Sequence, residues 1–168
     1  MIVQGLTKPR GMTIREANGV ADITDVRALF EEYAQSLDTD LGFQDFDQEL
    51  AGLPGAYSRP RGLLLLATKG DRSVGCVAVR SLDTDTCEMK RLYVSAEARG
   101  QRIGLALAEA AIEFAKATGY RAMRLDTLPT MATAQALYRH LGFRDVPPYR
   151  YNPVPGTSFM EVVLSGAP

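Results

Sequence analysis

Six consecutive residues, Arg99-Gly100-Gln101-Arg102-Ile103-Gly104, join two guanidinium groups to two glycines where an extended segment gives way to a helical pattern. Backbone N–H groups in the first turn of a helix lack an intrahelical acceptor and carry partial positive charge, so such an entrance attracts phosphate. Glycine has no Cβ and lets a ligand approach the main chain closely. The pattern alone also fits a plain loop with solvated arginines. It is neither of the familiar nucleotide loops: no Gly-Lys-Ser/Thr follows, and the third glycine and acidic residue of the dinucleotide fingerprint are missing. Two thiols offer a different chemistry. Cys76 sits amid Val74, Val77 and Val79 and reads as an inert buried thiol, while Cys87 has no histidine near it in sequence. The single histidine, His140, lies between Arg139 and Leu141 and reads as a surface residue. Chemistry without a covalent enzyme intermediate is the expectation.

The elements that must position this loop follow from hydrophobic periodicity. Residues 12–16 form a short extended segment, ended by the Asn18-Gly19 turn signal. Ile23, Val26, Phe30, Tyr33 and Leu37 recur at helical spacing from Asp22 onward. Asp45 and Gln48 are spaced as a capping box that opens a short second helix through Leu50, stopped by Leu53-Pro54-Gly55. Residues 63–68 and 74–82 read as strands joined by Lys69-Gly70-Asp71-Arg72, and 87–94 as a third strand after the 83–86 turn. Three strands joined by tight turns make an antiparallel meander. Ile103, Leu107, Ala110 and Phe114 then form a helical stripe with Gly119 as its stop. Residues 122–127 read as a strand, 130–141 as a helix ending before Gly142, and 159–164 as a last strand. Strand, long helix and strand is a crossover unit, which demands a parallel pair. The predicted order is β-α-α-β-β-β-α-β-α-β: an α/β (α+β mixed) sheet with helices on both faces, in one domain spanning residues 1–168.

With the loop and the order in place, the chain resembles the GNAT superfamily of N-acetyltransferases. That family carries Arg/Gln-x-x-Gly-x-Gly/Ala after a strand reading roughly Glu-Ile-x-x-Leu-x-Val. Arg99, Ile103 and Gly104 match, and Arg102 stands where the first glycine is usual. Downstream, Ala134, Leu137, Tyr138 and Leu141-Gly142-Phe143 match the family's Ala-x-x-Leu-Tyr-x-x-x-Gly-Phe segment. The resemblance implies a GNAT-like fold and acetyl-CoA bound where the 87–94 and 122–127 strands splay apart. Its pantetheine would pair with the backbone of Leu92, Tyr93 and Val94. Its pyrophosphate would lie at Arg99, Gly100, Gln101, Arg102, Ile103, Gly104, Leu105 and Ala106, on the amides from Gln101 to Ala106. Acetyl transfer to an amine needs a base for the ammonium proton and an acid for the leaving thiolate. Tyr138 matches the family tyrosine near the thioester sulfur and is the candidate acid; otherwise it is a core tyrosine with a partnered hydroxyl. Glu88 matches a glutamate that takes the proton directly or through water; otherwise it is a strand carboxylate paired with Lys90 or Arg80. Strict alternation puts Glu88 and Lys90 on the face of Leu92 and Val94, a conflict that a strand bulge relieves.

Composition bounds the rest. The 168 residues are 46% hydrophobic and 23% charged with a net charge of −1, a globular composition with no basic stripe for nucleic acid and no apolar run of bilayer length. Two cysteines and one histidine suit neither a disulfide framework nor a zinc site, so no metal is expected, and residues 1–13 lack the layout of a signal peptide. The expectation is a cytoplasmic monomer or homodimer. It uses acetyl-CoA to acetylate a primary amine of a small molecule or peptide, with a non-catalytic acyl-CoA sensor or regulatory subunit as the alternative. Residues 28–58 hold seven acidic residues and no Lys or Arg, so an acidic wall favouring a cationic amine is expected opposite the cofactor. Tyr33, Phe43 and Phe46 are expected to line the acceptor pocket, and Tyr149 in the proline-rich 147–155 loop, with Tyr151 and Asn152, to cap it.

Overall fold

The computed structural model describes residues 10–164. Seven strands form one mixed sheet in the order β1-β2-β3-β4-β5-β7-β6. The strands are β1 (Met12–Glu16), β2 (Leu63–Lys69), β3 (Arg72–Ser81), β4 (Thr86–Val94), β5 (Ala122–Thr127), β6 (Arg144–Val146) and β7 (Ser158–Val163). β1 to β4 run antiparallel in succession, the expected meander. The β4–β5 pair is parallel, joined through the crossover helix α3 (Ile103–Thr118).

Helices cover both faces. On one face α3 presents Ile103, Leu107, Ala110, Ala111 and Phe114 to Leu63, Leu65, Val77, Val79 and Met89. Its run of alanines brings the helix axis close to the sheet, and Gly75 completes the fit. A Cβ there would lie 3.0 Å from the Tyr93 carbonyl oxygen and 3.1 Å from Leu107 Cδ1. On the other face α1 (Gly19–Gln35) and α2 (Phe46–Ala51) pack Val26, Leu29, Phe30 and Phe46 against Leu64, Leu66, Cys76 and Ala78. Because both faces are covered, β2 reads Leu-Leu-Leu-Leu-Ala without alternation and is buried throughout that run. The last helix, α4 (Ala132–His140), lies between β5 and β6 in sequence. Among the described residues no helix is long and apolar enough to cross a membrane.

Three local expectations are corrected. Asn18-Gly19 is not a turn after β1 but the entrance of α1, with Asn18 as N-cap and its N–H donating to Asp22 Oδ2 at 2.7 Å. Asp45 forms no capping box: it lies in the left-handed region at φ 54° after a 3-10 turn over Leu41–Gln44, and its side chain makes no cap bond. The edge strand β6 was not predicted, because three residues with two of them exposed carry no periodicity.

Candidate active site

A bulge in β4 builds the site. Cys76 of β3 opposes Tyr93, and Ala78 opposes Lys90, so two steps on β3 span three on β4. The extra residue is accommodated at Arg91, which takes φ 59°. The bulge inverts the alternation. Cys87 and Met89 before it, and Leu92 and Val94 after it, all belong to the α3 face. Lys90 and Arg91 turn to the other side, where Lys90 reaches Gln44, Arg91 reaches α2, and Tyr93 joins the α1 cluster. This resolves the conflict that strict alternation posed for Glu88.

The second feature is a split between strands. β4 and β5 pair at Thr86↔Ala122, Cys87↔Met123 and Glu88↔Arg124, and no further. Beyond that point β5 keeps only its β7 partner, through Thr127↔Ser158. The free edge of β4 opens into a cavity of about 590 Å³. Leu92, Tyr93, Val94, Arg99, Gly100, Arg102, Ile103, Gly104 and Leu105 line it, faced by Met131, Ala134 and Leu137 around α4. Gly100 at φ +80° and Arg102 at φ 60° turn the loop through two left-handed residues before the helix begins. Arg102 therefore adopts the conformation a glycine takes most easily, which explains how an arginine stands at a glycine position. The first helical amide bond runs from Ala106 N to Arg102 O at 3.1 Å, leaving the amides of Ile103, Gly104 and Leu105 without an intrahelical acceptor. Arg99 Nε donates to the Val94 carbonyl at 3.1 Å, tying the loop to the end of β4. Gln101 and Ala106 do not line the cavity; Gln101 accepts from Lys69 Nζ at 2.9 Å, and Ala106 is buried under the helix.

Beside this cleft, and sharing Tyr33, Leu92 and Met131 with it, lies a smaller, narrower cavity of about 30 Å³. Its walls include Tyr138, Lys90, Arg91, Gln44, Asp126, Thr127 and Asn152. Tyr138 is 6% exposed, packed edge-on against Phe143, and its hydroxyl makes no hydrogen bond to any described residue. Burial raises its pKa. The hydroxyl is not one of the buried, partnerless atoms of the site, which among the described residues are Thr127 Oγ1 and Arg150 Nε, so it opens onto the cavity rather than being satisfied within the core. Arg91 forms a two-point ion pair with Glu49 at 2.9 Å, beneath Phe46. Asp126 accepts from Arg150 Nη2 at 2.9 Å and from Asn152 Nδ2 at 3.1 Å. Thr127 Oγ1 is buried with no partner among the described residues.

Several expected site residues are placed elsewhere. Glu88 is fully buried and lines neither cavity; Oε1 accepts from Arg80 Nε at 2.8 Å and Oε2 from the Tyr149 hydroxyl at 2.6 Å. Tyr149 is thereby committed to Glu88 and to Phe159, and does not cap the pocket; Asn152 from the same loop does reach it, while Tyr151 is exposed. Tyr33 lines both cavities. Phe46 packs in the α1–α2 core and lines neither, and the Phe43 side chain lies outside the described residues. The expected acidic wall is absent from both linings: Glu49 is spent on Arg91, Glu32 accepts from Ser95, and the remaining five acids of the segment are exposed. Both thiols are buried and line neither cavity; burial raises the pKa of Cys76 and pushes that of Cys87 up to about 12. Lys90, Asp126 and Thr127 were missed. The signal that pointed to the last two was their place at the carboxyl end of a parallel strand, where ligands of open α/β sheets bind.

Residues 23–143 match the model of the acetyltransferase (GNAT) family. An uncharacterized N-acetyltransferase of Schizosaccharomyces pombe is 38% identical over 162 residues, covering 95% of this chain and 99% of its own. An acetyltransferase from Streptococcus agalactiae has the same fold, with a TM-score of 0.77 at 20% identity, covering 92% of this chain and 99% of its own. An acetyltransferase structure from Salmonella typhimurium, described as holding its cofactor acetyl-CoA, superposes with a TM-score of 0.63 at 21% identity over 93% of this chain and 95% of its own.

Proposed function

The chain belongs to the acetyltransferase (GNAT) family, and from that premise we propose that it moves an acetyl group from acetyl-CoA directly to a primary amine of a small molecule or peptide. The observation that carries this reading is the unpartnered Tyr138 hydroxyl in a buried wall beside the split between β4 and β5. The residues present fit acetyl-CoA. A strand edge left free by the split suits an amide-bearing arm, in the manner of an added strand. The left-handed Gly100 and Arg102 and the free amides of Ile103, Gly104 and Leu105 suit a pyrophosphate, beside the charges of Arg99 and Arg102. Acetyl-CoA supplies the activated thioester. In the transfer the amine nitrogen bonds to the acetyl carbon, the carbon–sulfur bond breaks, and Tyr138 gives its proton to the departing thiolate. The proton lost by the amine passes to solvent. Glu88, both of whose oxygens are engaged, acts as a positioning carboxylate that fixes Arg80, Tyr149 and Arg150.

Direct transfer is supported by the two cysteines being buried and lining neither cavity, with burial raising the pKa of both thiols. Initial velocities measured at several fixed amine concentrations are expected to give intersecting lines, with an acetamide product found by mass. Parallel lines, or acetyl-labelled protein after acetyl-CoA alone, would overturn direct transfer. Acetyl-CoA binding without thiol release on any amine would overturn the enzymatic reading.

A further inference from the structure

The wall of the smaller cavity holds more positive charge than it can match. Four cations meet there or directly behind it: Arg80, Lys90, Arg91 and Arg150. Three carboxylates answer them: Glu49 takes Arg91, Glu88 takes Arg80 and approaches Arg150 at 3.3 Å, and Asp126 takes Arg150. Arg124, on the neighbouring strand, is matched by its own Glu161 at 2.7 Å. The surplus cation is Lys90. It is 8% exposed and lines the cavity, and among the described residues its only side-chain hydrogen bond is to the neutral Gln44 Oε1 at 3.3 Å. Burial, with Arg91 beside it, pulls its pKa down to about 7. A buried ammonium without a counter-ion is costly, and an anion supplied by a ligand removes that cost. Thr127 Oγ1, unpartnered on the same wall, offers a further hydrogen bond.

Resting on the amine-acetylating reading above, we infer that the acceptor is an amino acid-like molecule whose carboxylate is received by Lys90. The shared wall sets the amine and the carboxylate close together, because Tyr138, which faces the reacting sulfur in that reading, and Lys90 line one small space. At about 30 Å³ the cavity exceeds the roughly 10–15 Å³ needed to hold one water, so it admits one polar end of the acceptor. The acceptor's carboxylate takes the place of Gln44 Oε1 on the Lys90 ammonium. The acids of residues 28–58 line neither cavity, and Asp126, which does line the smaller one, is paired with Arg150 at 2.9 Å.

The test loads the full chain with coenzyme A and titrates the standard amino acids, each beside its amide, with binding read by calorimetry and turnover by thiol release from acetyl-CoA. At least one amino acid is expected to bind about tenfold to hundredfold more tightly than its amide, the range of a charge-assisted hydrogen bond. In Lys90→Met and Lys90→Gln that ratio is expected to fall within about threefold, and in Lys90→Arg to be largely kept. Equal binding of acid and amide by the wild type throughout the panel would overturn the inference, as would a ratio that survives in the folded Lys90→Met variant. Thiol release on amides as readily as on amino acids would overturn it while leaving the amine-acetylating reading intact. Carboxylate-selective binding without any turnover would do the reverse.

Discussion

A buried lysine with no ion pair among the described residues costs stability, and its cost depends on pH in a way that can be measured. Free in an unfolded chain, Lys90 takes a proton near 10.5; folded, its pKa is about 7. Between those values the unfolded chain binds the proton and the folded chain does not, so Lys90's contribution to stability rises with pH from about 7 to about 10.5. Below about 7 both states are protonated and the full penalty is present. Lys90→Met is therefore expected to be more stable than the wild type at pH 6, by on the order of 2–4 kcal/mol, with the gap closing as pH approaches 10. Denaturant melts at several pH values check this; a gap independent of pH would contradict it. None of this was legible in the sequence. Lys90 reads there as one charged residue on a strand, and only the left-handed Arg91 beside it, a conformation no periodicity announces, turns it inward.

The elements themselves follow closely from pattern. The meander, the crossover helix and the parallel pair are set by turn residues and by periods of two and 3.6 that local sequence carries. The phosphate-suited loop was legible for the same reason: its donors are backbone groups of consecutive residues, so one stretch of sequence contains it. The smaller cavity was not, since its wall comes from β4, β5, α4, the Leu41–Gln44 turn and the 147–157 loop, brought together only by tertiary packing. The contact of α3 with the sheet is the packing on which this convergence depends, and Gly75 is its tightest point. A methyl group there meets a carbonyl oxygen at 3.0 Å and Leu107 at 3.1 Å, and the backbone oxygen has little room to give. Gly75→Ala is expected to destabilise the fold by about 1–3 kcal/mol, the usual cost of overpacking. A thermal melt at or above that of the wild type would show that α3 can lift from the sheet without penalty.

At the scale of the molecule, one sheet does two jobs because one of its seams is left open. Antiparallel pairing on the β1 side and the β5–β7–β6 ribbon on the other make the two halves of the sheet, and β4 and β5 part between them after three residue pairs. The free edge and the α3 entrance face one compartment; the buried polar wall faces the other; Tyr33 and Leu92 stand between, with Tyr138 on the buried wall. The net charge of −1 says little about either compartment, because the acids of residues 28–58 lie on outer surfaces or in internal pairs rather than along the acceptor wall. What joins the two compartments chemically is the hydroxyl of Tyr138. The most direct test is turnover by Tyr138→Phe, which removes one oxygen from a site where that oxygen bonds to no described residue. The account predicts that kcat for amine acetylation falls about a hundredfold or more, while acetyl-CoA binding measured by calorimetry changes by less than about threefold. A Tyr138→Phe enzyme that acetylates amines at the wild-type kcat would contradict it.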